Sequence, residues 1–260
     1  MEKQNKITES VKNFYESNPY PGLEEKLISD KNIKLSKIFK KPGKILFPGC
    51  GTGHGIVGMA KIRPDLEYYG IDLSKPSLSI ASQLAEKYKV KINFNQGNYM
   101  NELPWEFKFK YITLQGTLHH TADPKIALRN LVQYLDDDGL IHINLYGKKY
   151  HNRRFEIIEM LDILMQDEGN DLLDERFKLF KFFYEKKQRK NIKDILLDFS
   201  LRTIWHSYLK LYKALVHKIK NTSPPITWDT NFKSLNQLWI DQFSNPNEKI
   251  YDINETKELL

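Results

Sequence analysis

The segment FPGCGTGHG, Phe47 to Gly55, decides the fold that this sequence predicts. It follows the hydrophobic run KILF (44–47) and precedes a helical pattern that begins at about residue 54. Glycine accepts positive φ angles and lets a ligand approach the backbone, so four alternating glycines indicate a tight binding turn. The free N–H groups at the start of the following helix favour a negatively charged ligand group.

Strand and helix patterns alternate outward from this loop. The strand candidates are KILF (44–47), EYYGI (67–71), KINFN (91–95), KYITLQ (110–115) and LIHINLY (140–146), and the helix candidates between them are 54–63, 75–88 and 124–135. This alternation forms right-handed βαβ units. We therefore predict an α/β fold: a Rossmann-like parallel sheet with helices on both faces and a helical C-terminal cap.

Composition and breaks in the pattern divide the chain into three parts. Residues 1–40 hold an N-terminal helix (7–17) and the PYPG lid segment, residues 41–150 form the Rossmann-like core, and residues 151–260 form a helical cap.

The 40% hydrophobic and 28% charged residues are typical of a soluble globular protein. No apolar run is long enough for a membrane span or resembles a secretion signal, so the expected location is cytoplasmic. A single cysteine, Cys50, excludes an internal disulfide.

Polar residues follow the next predicted strands. Asp72 ends YYGID about 20 residues beyond the glycines, where a carboxylate accepts hydrogen bonds from ribose hydroxyls; the alternative is that it caps the helix that begins near Ser74. In NQGNYMNELP, Asn98 and the backbone of Tyr99 suit an adenine edge, and LQGTLHHTADP follows the fourth strand. Asp123 suits the N-cap of the next helix. Open α/β sheets bind ligands at these carboxyl ends of the strands.

The motifs GCGTG, YGIDLS, GN and GTLHHTADP, in this order, resemble the class I S-adenosylmethionine-dependent methyltransferases, and above all bacterial members with an LHHxxDP segment. The resemblance covers about residues 11–150 and implies S-adenosyl-L-methionine as cofactor, held by the core 41–150. The residues that it implies for cofactor binding are Tyr15, Tyr20, Gly49, Cys50, Gly51, Thr52, Gly53, Asp72, Leu73, Asn98, Tyr99, Gln115 and Gly116.

The resemblance also assigns roles to these residues. The loop glycines pass beneath the methionine part of the cofactor, Asp72 takes the ribose hydroxyls, and Asn98 and Tyr99 flank the adenine. The far side is lined by Gln115 and Gly116, and the N-terminal segment closes over the cofactor with Tyr15 and Tyr20. Two positions depart from the family: Phe47 and Pro48 stand where an acidic residue is common, and Asn98 stands where Asp is common.

The adjacent histidines His119 and His120 are interpreted as walls of the cofactor and acceptor site. A general-base role for either is the alternative, and no metal site is predicted because neighbouring loop residues seldom both reach one ion. No catalytic residue is assigned, since transfer of an activated methyl group needs little beyond positioning of the acceptor. Cys50 is interpreted as a packing residue of the loop rather than a nucleophile.

Residues after 150 are expected to select the acceptor, a small molecule or a protein group. Arg153 and Arg154 suit an acceptor carboxylate or phosphate, or are surface charges. The aromatic residues Phe177, Phe180, Phe182, Phe183 and Tyr184 belong to the core of the cap or to an acceptor pocket. The formal charge of +7 comes from 181–220, where eleven basic residues face three acidic ones.

Two alternative functions remain open. The basic segment 181–220 suggests an RNA methyltransferase. Phe47 and the end of the chain suggest instead a non-catalytic protein that binds a cofactor or a partner. Related sheets close with two further strands, and no convincing pair follows residue 147. We therefore expect the terminal strands of the sheet to be missing, through truncation or in a natural fragment.

Overall fold

The computed structural model describes residues 2–21, 27, 30–148 and 247–260, which all belong to one compact unit. Arg153, Arg154, the aromatic residues 177–184 and the basic segment 181–220 lie outside the described residues. The elements are α1 (Glu2–Ser17), α2 (Asp30–Ser36), β1 (Gly43–Pro48), α3 (His54–Ile62), β2 (Leu66–Asp72), α4 (Lys75–Lys87), β3 (Ile92–Gln96), β4 (Phe109–Gln115), a 3-10 turn (Leu118–His120), α5 (Pro124–Gln133), β5 (Leu135–Asn144) and a final helix (Ile253–Leu259).

The five strands form one parallel sheet in the order β3-β2-β1-β4-β5. β1 lies at its centre, with Ile45 opposite Tyr68 of β2 on one side and Tyr111 of β4 on the other. The chain winds outward in one direction from β1 to β3 and in the other from β4 to β5. This reversal opens a crevice beyond the carboxyl ends of β1 and β4, where such sheets bind ligands.

Helices pack on both faces of the sheet, as the alternating patterns predict. On one face, Ile45 and Phe47 of β1 pack with apolar residues of α2, α3 and α4. On the other, Leu46 joins Ile112 and Leu114 of β4 against α5 and the final helix. The alternation of Ile45, Leu46 and Phe47 between the two faces fixes the register of the central strand, because a slip of one residue would invert every side chain. The Rossmann-like fold is confirmed.

Hydrogen-bonding side chains define the helix starts. Asp123 accepts from the backbone of Lys125 and Ile126 and caps α5, so this predicted N-cap is confirmed. Asp252 caps the final helix, because its side chain accepts from the backbone of Glu255 and the Glu255 side chain accepts from the backbone of Asp252, which completes a capping box.

The last described segment lies beside the end of β5. Tyr251 forms a parallel bridge with Gly147, its N–H donates to the carbonyl of Tyr146 at 2.9 Å, and its carbonyl accepts from the N–H of Lys148 at 2.9 Å. The absence of terminal strands and the bounds of the helical cap stay predictions. No helix in the described ranges has the length and apolar character that a membrane crossing requires.

Candidate functional site

A cavity of about 270 Å³ opens beyond the carboxyl ends of β1, β2 and β4. It is the site that the topology predicts. Eleven of the predicted cofactor residues line it: Tyr15, Tyr20, Gly49, Cys50, Gly51, Asp72, Leu73, Asn98, Tyr99, Gln115 and Gly116. The other two, Thr52 and Gly53, belong to the same loop and are not among the lining residues. The glycine loop therefore reaches the cavity mainly through Gly49, Cys50 and Gly51.

Every backbone N–H of the glycine loop from residue 49 to 53 is used inside the protein. The N–H groups of Gly49 and Cys50 donate to the Ile71 carbonyl at 2.7 and 3.2 Å. The remaining three donate to Asp72 Oδ2 (from Gly51, 2.8 Å), the Tyr20 carbonyl (from Thr52, 3.0 Å) and the Cys50 carbonyl (from Gly53, 3.1 Å). Because these amides are already committed, they do not form the anion cradle that a pyrophosphate needs.

Two of the loop glycines are required for close packing. Gly51 has φ of +54°, and a Cβ there would lie 2.3 Å from the carbonyl oxygen of Tyr20. Gly53 has φ of +84°, and a Cβ there would lie 2.8 Å from the Cβ of Ala81 in α4. The missing side chain at Gly51 therefore leaves room for the N-terminal segment. The missing side chain at Gly53 leaves room for α4, so Gly53 packs against this helix and not against the cavity.

Asp72 holds the end of β2 to both neighbouring loops. Its Oδ2 accepts from Gly51 N at 2.8 Å and its Oδ1 accepts from Ser74 N at 2.9 Å. Burial raises the pKa of the Asp72 carboxyl, and these backbone bonds oppose that shift. Ser74, whose Oγ accepts from Ser77 N, is the N-cap of α4, so the alternative that Asp72 is that cap is wrong. The carboxylate lies at the cavity.

The charge of the cavity favours a cationic or neutral ligand over a polyanion. Of the described residues that line it, Asp72 is the one acidic side chain and none is Lys or Arg. Cys50 also lies at the wall, and burial followed by the charge of Asp72 raises the pKa of its thiol well above its ordinary value. A thiol held protonated is a poor nucleophile, which agrees with a packing role.

The N-terminal helix α1 lies across the mouth of the crevice. Its residues Thr8, Val11 and Tyr15 line the cavity. The Tyr15 carbonyl accepts from Ser74 Oγ at 3.0 Å, and Gln4 Nε2 donates to Asp123 Oδ2 at 3.2 Å. Because Ser74 begins α4 and Asp123 begins α5, α1 bridges the starts of two helices and covers the space between them.

The two adjacent histidines point to different surroundings. His120 lines the cavity, and its Nδ1 lies 3.0 Å from the carbonyl oxygen of Asn247. His119 is fully buried and packs its ring 4.0 Å from that of Tyr146. Only His120 is therefore placed as a wall residue. Among residues 2–21, 27, 30–148 and 247–260, which the structure describes, no cluster of three or more His, Cys, Asp or Glu side chains could hold a metal ion.

Sequence reasoning missed the segment that holds His120. Asn247 Nδ2 donates to the carbonyls of His120 and Thr121, both at 2.9 Å, and Lys249 N donates to the carbonyl of His119 at 3.1 Å. These contacts join residues about 127 positions apart. No local pattern near residue 247 could have revealed them.

Residues 39–173 match the family described as "Methyltransferase domain", and this range is just over half of the chain. With the parallel sheet and its switch point, this match decides the family. The chain belongs to the class I S-adenosylmethionine-dependent methyltransferases.

Curated relatives match part of this methyltransferase. It is 29% identical over 133 residues to an uncharacterized protein of Synechococcus sp., covering 50% of this chain and 32% of that protein. It is 32% identical over 114 residues to the demethylmenaquinone methyltransferase of Bacillus licheniformis, covering 43% and 48% respectively. The chain thus spans half or less of the length of these two relatives.

A solved structure shares the fold over most of the methyltransferase. PKMT2 from Rickettsia typhi superposes with a TM-score of 0.56 at 18% identity, covering 92% of this chain and 44% of that one. At this level of identity the likeness concerns the fold alone.

One lining group of the methyltransferase has an unmet hydrogen bond. Gln115 Nε2 is buried and has no hydrogen-bond partner within the described part of the chain. Its carboxamide lies against the first turn of α3, since a Cβ on Gly55 would stand 3.4 Å from Gln115 Oε1. A buried N–H without a partner costs about 1–3 kcal/mol, so a ligand oxygen here would be stabilising. An orphaned donor, a single carboxylate and committed loop amides fit a cationic, amino acid-bearing nucleoside.

Proposed function

We propose that this methyltransferase binds S-adenosylmethionine in the cavity and transfers its methyl group to a small organic acceptor. The observation that carries the proposal is the placement of Asp72 at the cavity with no cationic side chain among the described lining residues. When bound, the cofactor supplies a methyl group on a positively charged sulfur. A wall with one carboxylate attracts such a ligand and disfavours a dinucleotide, whose phosphates need donors or cations.

The adenosine is held by groups at the ends of β2 and β3. Asp72 keeps lone pairs beyond the two that accept from Gly51 and Ser74, and these accept the ribose hydroxyls. Asn98 Oδ1 accepts from Met100 N at 2.9 Å, which fixes the side chain in a turn. Its Nδ2 is then the group offered to an adenine ring nitrogen.

The names of two relatives support a small-molecule acceptor. One is the demethylmenaquinone methyltransferase of Bacillus licheniformis, and another is the ubiquinone biosynthesis O-methyltransferase of Pelagibacter ubique, 26% identical over 136 residues. In this chain α1 covers the cavity through Val11 and Tyr15, while His120 forms part of the wall. A cavity covered in this way suits a small acceptor and methyl transfer by positioning.

Calorimetric titration tests the cofactor assignment. We expect S-adenosylhomocysteine to bind the wild-type chain and NAD⁺ to give no heat. Asp72→Ala should weaken binding at least tenfold, about 1.4 kcal/mol. Glu67→Ala is the matched control, because Glu67 lies on the same strand with a side chain 62% exposed and should leave binding unchanged. Equal affinities for all three proteins, or binding of NAD⁺ instead, would contradict the assignment.

The acceptor class is tested by methyl transfer from S-adenosylmethionine labelled on its methyl group. The chain is incubated with a bacterial extract, which is then separated into organic-soluble molecules, RNA and protein. We expect the label in the organic-soluble fraction. Label in RNA would support the RNA alternative, label in protein would support a protein acceptor, and no label in any fraction would support a non-catalytic role.

A further inference from the structure

The amino acid end of the proposed cofactor carries an ammonium and a carboxylate, and each needs a partner in the cavity. Both oxygens of Asp72 accept a backbone N–H, and in the proposed function their remaining lone pairs accept the ribose hydroxyls. The described lining residues provide no second carboxylate and no cation. Neutral groups must therefore recognise this zwitterion, and two of them lie at the start of α3.

His54 is the first, and its tautomer follows from a chain of hydrogen bonds. Thr52 Oγ1 lies 2.7 Å from the Pro21 carbonyl oxygen, which can only accept, so the hydroxyl proton of Thr52 is committed to Pro21. Thr52 Oγ1 also lies 3.1 Å from His54 Nδ1. Having no second proton, Thr52 accepts this bond, and Nδ1 of His54 must carry a hydrogen. Nε2 is then the nitrogen with the lone pair whenever the ring is neutral.

The surroundings of His54 keep its ring neutral. The side chain is 5% exposed, and burial lowers the pKa of His54 from its ordinary value. His54 lines the cavity, and while its ring is neutral Nε2 is the ring atom that can accept a hydrogen bond.

Gln115 supplies the complementary donor beside it. Its Nε2 is buried without a partner among the residues described, and its Oε1 lies close to Gly55, the residue after His54. Gln115 comes from the end of β4 and His54 from the start of α3, so the sheet topology places both residues in the lining of the same crevice. The first-turn amides of α3 lie at the same place and attract an anion.

We propose that His54 and Gln115 together recognise the α-amino acid group of the cofactor. His54 Nε2 accepts a hydrogen from the ammonium, and Gln115 Nε2 donates one to the carboxylate. This assignment rests on the proposed function, and it makes His54 and Gln115 determinants of specificity for ligands that carry a free amino acid over simple nucleosides.

Calorimetric titrations with three ligands distinguish the contact of His54 with the ammonium from the contact of Gln115 with the carboxylate. S-adenosylhomocysteine carries both groups, its deaminated analogue lacks the ammonium, and 5′-methylthioadenosine lacks both. We expect the wild-type chain to prefer S-adenosylhomocysteine over the deaminated analogue at least tenfold. His54→Ala should bind these two ligands with affinities within threefold of each other. Gln115→Ala should keep the preference but bind both at least fivefold more weakly, and both variants should bind methylthioadenosine as the wild type does.

The controls distinguish failure of this assignment from failure of the proposed function. His142→Ala removes a histidine that does not line the cavity and should leave the tenfold preference intact. If the wild type does not bind S-adenosylhomocysteine, the proposed function is wrong. If it binds and His54→Ala keeps the full preference, the proposed function stands and the His54 assignment is wrong. If Gln115→Ala binds both ligands as tightly as the wild type does, the contact between Gln115 and the carboxylate is wrong.

A measurement on the wild-type chain removes any dependence on folding of the variants. Nitrogen-15 NMR of the histidines reports which ring nitrogen carries the proton. We expect His54 to be protonated at Nδ1, with an Nε2 resonance that shifts on addition of S-adenosylhomocysteine and stays in place with methylthioadenosine. Protonation at Nε2 in the free protein, or equal shifts with both ligands, would overturn the proposal.

Discussion

Gly51 lies where three segments of the molecule meet. Its N–H donates to Asp72 at the end of β2, and the space beside its Cα is filled by the carbonyl of Tyr20. The glycine motif predicts a positive φ and a close approach at this position, and the structure shows both. The approaching group is the backbone of the N-terminal segment, which the motif alone does not reveal.

Gly51→Ala should destabilise the chain by about 3 kcal/mol, because alanine combines a strained φ with a steric overlap. Gly116→Ala is the matched control: Gly116 has φ of +75° but nothing within 4 Å of an added Cβ. It should cost about 1 kcal/mol from strain alone. Urea unfolding measures both values, and equal losses in the two variants would show that the Tyr20 contact is not what requires glycine at residue 51.

The prediction from sequence was more successful for the position of residues than for what they touch. The distance of Asp72 from the glycines predicts that it belongs to the site, and Asp72 lines the cavity. The family resemblance implies Thr52 and Gly53 as well, yet they face the Pro21 carbonyl and α4. Spacing along the chain identifies a loop, but the direction of each residue in it depends on which elements pack behind.

Among the elements, α1 has a role that is predicted and attachments that are not. The sequence predicts its helical pattern and a closing function, and the structure adds its two attachments, to Ser74 at α4 and to Asp123 at α5. Asp123 therefore serves two helices, since it caps α5 and also receives Gln4 of α1.

Asp123→Ala should lower the free energy of unfolding by about 1 kcal/mol through loss of the cap. It should also speed hydrogen exchange in the first turns of α1. Gln4→Ala removes only the link between the helices and should cost a few tenths of a kcal/mol, while raising exchange in α1 to a similar extent. Slow exchange in α1 in both variants would show that the link to α5 does not hold the helix in place.

The element boundaries show where local patterns are sufficient. α3 and α4 begin where predicted and end one residue earlier, because their starts are marked by the glycine loop and by the Ser74 cap. β5 begins at Leu135, five residues before the predicted start, because LDDDG is too polar to read as a strand. Its pairing with β4, which includes a register irregularity near Phe109, places those residues in the sheet.

At the scale of the whole molecule, the βαβ pattern predicts the parallel sheet with helices on both faces, whereas it does not predict the closure of the site. The cavity collects residues from Thr8 to Ala122, and residue 247 holds its His120 wall. Such long-range contacts leave no periodic trace in the sequence. Only the family resemblance anticipated the N-terminal cover, and nothing anticipated the contribution of residues 247–251.

The stability of the whole chain should depend on pH through His54. Its pKa is lowered from 6.5 in the folded state, so protonation favours the unfolded chain. The stabilising contribution is complete above the unfolded value and is lost as the pH falls from about 6.5 through the folded pKa, with a slope that cannot exceed about 1.4 kcal/mol per pH unit, the limit for one proton.

Urea unfolding of the wild type and of His54→Gln between pH 8 and pH 5 measures this contribution. The difference in unfolding free energy between the two proteins should be constant above pH 7 and should shrink below it, because the variant lacks the titrating ring. A difference that does not change with pH would contradict the buried, neutral state of His54.

The structure of the chain crystallised with S-adenosylhomocysteine tests the central claim most directly. We predict ligand density in the cavity beyond β1 and β4, with the ribose hydroxyls within hydrogen-bond distance of Asp72 and the amino acid end beside the first turn of α3. Density at another surface, or a ribose that does not contact Asp72, would contradict the account of how this methyltransferase binds its cofactor.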